Sequence, residues 1–174
     1  MEWVSNVVPA NKKQGTIRVC IDFMDLNKAC PKDNFPTPHI DQIIENYAGS
    51  VIFSFMDGFS GYNQIEILPS DQHKTTFIFP WGTFAYKKLP FVLENAGATF
   101  QGVMSYAFHK IKHIVEPYLD GLLAHSQQWE DHLGHLREIF LRCHHYNIWL
   151  NPHKFVFCIE TGHLLGFVVS KDGI

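Results

Sequence analysis

Apolar residues recur along this chain at two spacings, one typical of strands and the other of helices. Residues 16–24 alternate in part between polar and apolar side chains, which predicts a strand that buries one face. Residues 50–57, which read as buried, and residues 62–68 are predicted as further strands. Pairs of short apolar segments around turn residues predict three hairpins: residues 74–79 with 83–89, 114–119 with 122–124, and 155–159 with 163–170.

Longer segments with helical spacing predict helices over residues 39–47, 94–112 and 130–145. Gly49 stops the first helix, and a loop with several prolines over residues 30–38 precedes it. Strands and helices in this order predict an α+β fold, with helices packed on one face of an antiparallel sheet.

The composition is that of a folded domain. The 174 residues fit one domain or a core domain with a small appendage, and 46% hydrophobic side chains can fill a core. No apolar run reaches membrane-spanning length, and the first residues lack the basic start and apolar core of a signal peptide. We therefore expect a cytoplasmic protein with no membrane partner.

The charge balance bears on nucleic-acid binding. The chain has 14 Lys and Arg against 17 Asp and Glu, a net charge of −3. Phosphate contacts dominate nucleic-acid affinity, so this balance argues against tight binding by the isolated chain. A locally positive cleft stays possible around a group of basic residues, Lys12, Lys13, Arg18, Lys28 and Lys32.

Cysteine and histidine residues predict no metal or disulfide site. The 4 cysteines are too few and too scattered for a disulfide framework. His132 and His135 lie one helical turn apart and precede Cys143, but no second pair completes a tetrahedral zinc site. We therefore expect reduced core thiols and surface histidines.

Two acidic residues stand where strands end. Asp57 follows a buried apolar run, and Asp120 lies at a predicted hairpin tip, with a helical segment between them. Two such carboxylates suit a pair of Mg²⁺ ions about 3.5–4 Å apart, which activate a 3′-hydroxyl and neutralise a leaving pyrophosphate. Each acid alone has a simpler explanation, because Asp-Gly is a common turn dipeptide and a strand-end Asp often caps a backbone group.

The order of the segments around these acids is more specific than either acid. The informative strings are residues 18–28, 55–65, 89–101, 150–154 and 164–167. Together they resemble the reverse transcriptases of gypsy-type LTR retrotransposons, in a plant-type and degenerate form. The resemblance covers essentially the whole chain and implies a polymerase palm with partial fingers.

The resemblance implies roles for individual residues. It assigns Asp57 and Asp120 as catalytic carboxylates that hold two Mg²⁺ ions, with the Gly58 carbonyl as a further ligand. Residues that match the nucleotide side of the site are Arg18, Lys12, Lys13, Tyr62, Phe91 and Gln101, and those that match the primer grip are Leu165, Gly166 and Phe167. Without the flanking motifs, Tyr62 would be read as a packed strand tyrosine and the basic residues as a solvated edge strand.

The resemblance also implies partners and a division of the chain. The partners are an RNA or DNA template with primer, a deoxynucleoside triphosphate (dNTP), and the remaining reverse transcriptase and RNase H segments of a polyprotein. Residues 1–50 would be partial fingers and the start of the palm. Residues 51–174 would be palm, with a fingers hairpin around residues 74–89, ending at the primer-grip hairpin. A thumb, a connection and an RNase H domain are expected to be absent.

Four residues depart from the family pattern. Gly121 replaces the second acid of Tyr-x-Asp-Asp, Val92 replaces a glycine, Met24 replaces an arginine, and Glu94 stands where lysine is frequent. Loss of a metal-ligand carboxylate is expected to slow an RNA-directed DNA polymerase on the order of 10³-fold. The alternative is a non-catalytic remnant that keeps the palm fold and binds nucleic acid or protein.

Overall fold

A computed structural model describes residues 3–11, 15, 17–36, 39–47, 49–118, 121–164 and 167–170. The chain divides into two compact units that alternate along the sequence. The first unit comprises Met1–Asn34 and Tyr62–Thr99, and the second comprises Phe35–Gly61 and Phe100–Ile174. The predicted boundary between fingers and palm at residue 50 stays a prediction.

Ten strands and five helices are present in the described residues. The strands are β1 (Val7–Asn11), β2 (Ile17–Ile21), β3 (Ile52–Asp57), β4 (Phe77–Phe79), β5 (Gly82–Phe84), β6 (Val115–Tyr118), β7 (Gly121–Ser126), β8 (Val156–Ile159), β9 (Thr161–Leu164) and β10 (Phe167–Ser170). The helices are α1 (Met24–Ala29), α2 (Ile40–Asn46), α3 (Pro69–Gln72), α4 (Ala96–Phe108) and α5 (Trp129–His145). None of the helices in the described residues is long and apolar enough to cross a membrane.

The first unit contains two antiparallel strand pairs, β1 with β2 and β4 with β5. The β4–β5 pair confirms the predicted hairpin around residues 80–82, although each strand is only three residues long. Aromatic rings line it: Phe77 stacks on Phe84 with centroids 6.0 Å apart, and Phe79 stacks on Trp81 at 5.1 Å. Contacts between these rings support a hairpin whose side chains are largely exposed.

The strand predicted for residues 62–68 is wrong. Gly61–Gln64 forms a 3-10 turn, and the Ile65 N–H donates to the Tyr62 carbonyl at 3.1 Å. The rest of the segment pairs only through an isolated antiparallel bridge between Glu66 and Lys88, flanked by hydrogen bonds from the Ile67 N–H to the Lys87 carbonyl and from the Leu89 N–H to the Ile65 carbonyl. Pro69 then begins α3 shortly afterwards.

The second unit contains a four-stranded antiparallel sheet in the order β6-β7-β3-β8. One face of β3 meets α5, where Ser54 hydrogen-bonds His132. Neighbouring strand positions alternate between faces, so Phe53 points the other way, into a cluster with Ile43 and Tyr47 from the α2 segment. The predicted mixed α+β fold with an antiparallel sheet is confirmed, and α2 adds a short helix on the opposite face.

The predicted pairing of residues 155–159 with 163–170 is wrong. β8 pairs with β3 instead, and β9 forms a hairpin with β10. The cause is the central position of β3, whose buried backbone groups need a partner strand on each side. β8 fills that place, which leaves β9 and β10 to pair with each other.

Candidate active site

Asp57 is the last residue of the buried central strand. Residues 52–54 are buried, and the Asp57 side chain is 19% exposed at the strand end. The antiparallel register places Gly121 of β7 directly opposite Asp57. Residues opposite each other in a sheet point to the same face, so a side chain at position 121 would project beside the Asp57 carboxylate.

A neighbouring segment fixes the backbone that follows β3. The Asn151 N–H donates to the Asp57 carbonyl at 2.8 Å, and the Phe59 N–H donates to the Trp149 carbonyl at 2.9 Å. Gly58 forms a bridge with Leu150 between these two bonds. Two hydrogen bonds and a bridge to residues 149–151 therefore hold residues 57–59 within the second unit.

Lys154 supplies a cation to the site, which the sequence analysis missed. Its Nζ donates to an Asp57 carboxylate oxygen and forms an ion pair with it. Residues 150–154 had been noted only as a family string. The two residues are 97 positions apart, and no local pattern in the sequence links them.

Gly121 is compatible with the side chain that the family carries there. A Cβ at this position would lie 3.5 Å from the Tyr118 carbonyl oxygen and 3.8 Å from that of Met56, which are ordinary contacts. Its φ lies outside the left-handed region that favours glycine. The backbone therefore does not require glycine, and a Cβ is accommodated at this position.

Several predicted site residues lie outside the described residues: Asp120, Lys12, Lys13, Leu165 and Gly166. For Arg18 and Phe167 the backbone is described in β2 and β10, but the side chains are not. The pairing of Tyr118 with Gly121 confirms the hairpin on which Asp120 was predicted.

The described residues supply part of a donor set for Mg²⁺. Asp57 offers hard carboxylate oxygens, the kind of ligand that Mg²⁺ prefers. Within the described residues, however, no three or more His, Cys, Asp or Glu side chains group so that they could hold a metal ion. The described carboxylate oxygens are of the kind that Mg²⁺ prefers, but too few of them lie together to hold the ion.

Of the predicted nucleotide-side residues, Tyr62 and Phe91 belong to the first unit and Gln101 to the second. Tyr62 lies in the 3-10 turn, and Phe91 is 53% exposed. Gln101 is buried, and its Nε2 donates to the Pro117 carbonyl at 3.0 Å. This bond ties α4 to β6 within the second unit.

Two asparagines that the sequence analysis passed over hold the loop with the Val92 and Glu94 departures. Asn27 donates from Nδ2 to the Val92 carbonyl at 3.1 Å and accepts from the Glu94 N–H at 3.0 Å. Asn95 donates to the Pro31 carbonyl at 2.8 Å and accepts from the Asp33 N–H at 3.0 Å.

The loop accommodates both departures. Val92 lies outside the left-handed region, so it carries no strain of that kind. Glu94 forms an ion pair with Lys32 at 3.0 Å, which offsets one of the basic residues predicted for a cleft. Met24 is 62% exposed at the start of α1.

The prediction of surface histidines is wrong for His125 and His132, which are 6% and 1% exposed. Serine hydroxyls bond both ring nitrogens of His132 and Nδ1 of His125, whereas His125 Nε2 has no hydrogen-bond partner among the described residues. Desolvation lowers the pKa of His132, and it lowers that of His125 to about 4. The cysteine prediction holds for buried Cys143, where burial raises the thiol pKa to about 12, but Cys30 and Cys158 are exposed.

Comparison with known proteins gives a consistent family. The sequence model described as reverse transcriptase (RNA-dependent DNA polymerase) matches residues 10–169. Transposon Tf2-7 and Tf2-3 polyproteins of Schizosaccharomyces pombe are each 31% identical over 164 residues, covering 93% of this chain and 12% of the polyprotein. The chain thus spans about an eighth of these relatives.

Solved structures agree in fold. A foamy viral protease-reverse transcriptase in complex with an RNA/DNA hybrid has a TM-score of 0.85 and 20% identity, over 96% of this chain and 22% of that one. A second foamy viral structure, in complex with double-stranded DNA, has a TM-score of 0.86 and 21% identity, over 97% and 30%. At this identity the likeness establishes the fold alone.

Proposed function

The chain belongs to the reverse transcriptase (RNA-dependent DNA polymerase) family, and we propose that it is the palm and partial fingers of a gypsy-type, plant-type LTR retrotransposon enzyme. The observation that carries the proposal is the register of Asp57, at the end of a buried central strand, against position 121 of the adjacent strand. The likeness to transposon polyproteins supports the retrotransposon assignment. A cytoplasmic location stays a prediction from the sequence.

The proposed reaction is nucleotidyl transfer to a primer end. Asp57, the Gly58 carbonyl and Asp120 would hold Mg²⁺, which when bound would activate the 3′-hydroxyl and neutralise the leaving pyrophosphate. Arg18, Lys12 and Lys13 would contact the triphosphate, because a guanidinium binds phosphate oxygens in a bidentate way. Tyr62, Phe91 and Gln101 would shape the nucleotide side, and residues 165–167 would hold the primer.

Partners follow from the same proposal. The relatives in the solved structures bind an RNA/DNA hybrid or double-stranded DNA, and we extend this to a template with primer and a dNTP for the present chain. Other segments of a polyprotein would complete the enzyme, since the chain matches 12% of its transposon relatives.

Polymerisation is proposed to be impaired. Gly121 leaves the position opposite Asp57 without a carboxylate. The Lys32–Glu94 pair removes a positive charge from the first unit. Both departures weaken the interactions that a negatively charged triphosphate and its metal ions need.

Primer extension on an RNA template tests the proposal. The chain, its Gly121→Asp variant and the double variant Gly121→Asp with Asp57→Asn would be compared in Mg²⁺ or Mn²⁺. We expect Gly121→Asp to extend on the order of 10³-fold faster than the parent, and the double variant to be inactive. Equal extension by the parent and Gly121→Asp would contradict impairment at position 121.

A second candidate is a non-catalytic remnant that binds nucleic acid or protein. The glycine at position 121, opposite Asp57, favours it, because fewer carboxylate oxygens are left to hold metal ions. Such a remnant would bind an RNA/DNA hybrid with strong salt dependence and without dependence on Mg²⁺. Hybrid binding that requires Mg²⁺ would argue against this candidate.

A further inference from the structure

Hydrogen bonds between serine and histidine side chains run through the interior of the second unit, away from Asp57. Ser54 Oγ lies 2.7 Å from His132 Nε2, and Ser126 Oγ lies 2.8 Å from His132 Nδ1 and 2.7 Å from His135 Nδ1. Ser54, Ser126 and His132 are each no more than 2% exposed. Residues from β3, β7 and α5 therefore form one buried chain of polar groups.

One end of this chain reaches the backbone of β8. The Cys158 N–H donates to Ser54 Oγ at 3.1 Å. The β3–β8 register shifts between Phe53 and Phe55, so that residues 157 and 158 of β8 lie opposite Ser54 alone. This is a β-bulge, and Cys158 carries its strained φ of 54°.

The donors and acceptors can be ordered along the whole chain. A backbone N–H only donates, so Ser54 accepts from Cys158 and is free to donate its hydroxyl hydrogen to His132 Nε2. His132 then carries its proton on Nδ1 and donates to Ser126, which donates to His135. This order uses a neutral His132, in agreement with the lowering of its pKa by burial and by His135.

The bulge lies just before the β9–β10 hairpin. β9 begins three residues after Cys158, and Gly162 packs so closely on the Phe55 ring that a Cβ there would lie 2.4 Å from it. β3 therefore positions the start of this hairpin twice, through the Ser54 hydroxyl and through the Phe55 ring. Residues 165–167, the segment proposed to hold the primer, directly follow β9 in the sequence.

We propose that His132 and Ser54 are positioning residues, which fix the Cys158 bulge and thereby the approach of the β9–β10 hairpin to the primer end. The primer part rests on the proposed function. The bulge part concerns this chain's own hydrogen bonds and stands on the geometry alone. Neither residue is expected to touch nucleic acid or metal.

Ser50 provides a matched control. Its Oγ lies 2.9 Å from His125 Nδ1, so it forms a buried serine–histidine bond of the same kind, four residues before Ser54. Ser50→Ala removes that bond and leaves Cys158, Ser54 and His132 untouched. Ser126→Ala interrupts the chain beyond His132 and gives a milder variant should Ser54→Ala fail to fold.

The first readout is amide hydrogen exchange at Cys158, which involves no nucleic acid. We expect roughly 10-fold faster exchange in Ser54→Ala and a smaller increase in His132→Phe and Ser126→Ala, since one buried hydrogen bond is lost or loosened. Ser50→Ala should leave the rate unchanged. An unchanged rate in Ser54→Ala, or in Ser126→Ala if only that variant folds, would overturn the proposed chain of hydrogen bonds.

The second readout is the ratio of affinities for an RNA/DNA hybrid with a recessed 3′ end and for single-stranded RNA. Displacement of the primer segment should weaken hybrid binding several-fold and leave single-strand binding unchanged, whereas general destabilisation would weaken both. An unchanged ratio together with faster exchange overturns the positioning role. No hybrid binding by the parent overturns the proposed function and the primer role with it, while the exchange result still decides the bulge.

Discussion

In the second unit the sheet is buried between helices, whereas in the first unit short strands and loops are held by amide side chains and exposed aromatic rings. Phe53, Ile52 and Leu122 are almost fully buried in the second unit. In the first unit Asn27 and Asn95 hold the loops, and Trp81 at the β4–β5 hairpin is 76% exposed. Asp57, the proposed metal ligand, lies on the buried scaffold of the second unit, whereas Tyr62 and Phe91, proposed for the nucleotide side, lie in the lightly anchored first unit.

The two units also differ in net charge. The first unit carries slightly more basic than acidic side chains, and the second has a clear excess of acids. The net charge of −3 therefore comes from the second unit, while the first unit is close to neutral. The first unit is the one suited to phosphate, although ion pairs such as Lys32–Glu94 use part of its charge.

Replacing one aromatic ring in each unit, buried in the second and exposed in the first, is the strongest test of this comparison. Phe53→Ala should lower the free energy of unfolding by about 3–5 kcal/mol, because Phe53 is fully buried and leaves a cavity. Trp81→Ala, its counterpart in the first unit, should cost about 1 kcal/mol or less, since only the stack on Phe79 is lost. Urea unfolding measures both, and equal losses would contradict the difference between the units.

Acid should weaken the second unit through His125. Its pKa is about 4 in the folded protein and 6.5 when unfolded, so the unfolded state binds more protons between these values. Stability should therefore fall by about 3 kcal/mol as pH falls from 6.5 to 4. Urea midpoints across this range measure it.

Two variants separate the contributions to this pH dependence. His125→Phe keeps a ring against Tyr47, whose centroid lies 4.9 Å from that of His125, and should flatten the dependence. Burial raises the pKa of Glu116, which acts in the opposite sense because the folded state retains its proton longer, so Glu116→Gln should steepen it. The same slope in parent and His125→Phe would contradict the assignment.

Removing Asn95 should loosen the first unit without unfolding the second. Asn95→Ala leaves the Asp33 N–H and the Pro31 carbonyl without this partner, which should cost about 1–2 kcal/mol locally. Amide exchange should accelerate in residues 30–34 and stay unchanged in β3. Asn63→Ala, at an exposed asparagine in the first unit, is the control. Faster exchange in β3 would show that the units open together.

The smallest effect concerns the cation at the acid itself. Lys154→Met removes the ammonium that pairs with Asp57 and keeps most of the side chain. Because Lys154 is 61% exposed, solvent screens the pair, and Mn²⁺ affinity should rise only roughly 3-fold. Titration followed by water-proton relaxation measures this. Lys110→Met, at another exposed lysine in the second unit, should leave the affinity unchanged.

Elements with a long repeat were predictable from the sequence. α5 begins one residue before its predicted start and ends where predicted, since its apolar residues hold a helical period over several turns. The strand prediction for residues 62–68 was wrong because a short run with Ile65 and Ile67 suits either a strand or a turn. Side-chain contacts between residues far apart in the chain could not be predicted from the sequence. Nothing near Ser54 indicates a hydrogen bond with His132, 78 residues later, or the β-bulge that this bond supports.

Gly121 has room for a Cβ and a backbone outside the left-handed region, so β7 does not require glycine at this position. In genetic terms, glycine and an acid are close alternatives at this position. A glycine codon that ends in a pyrimidine becomes an aspartate codon by a single transition, and no compensating change in the surrounding sheet is required. A copy with glycine at position 121 therefore differs from one with an acid there by a single nucleotide.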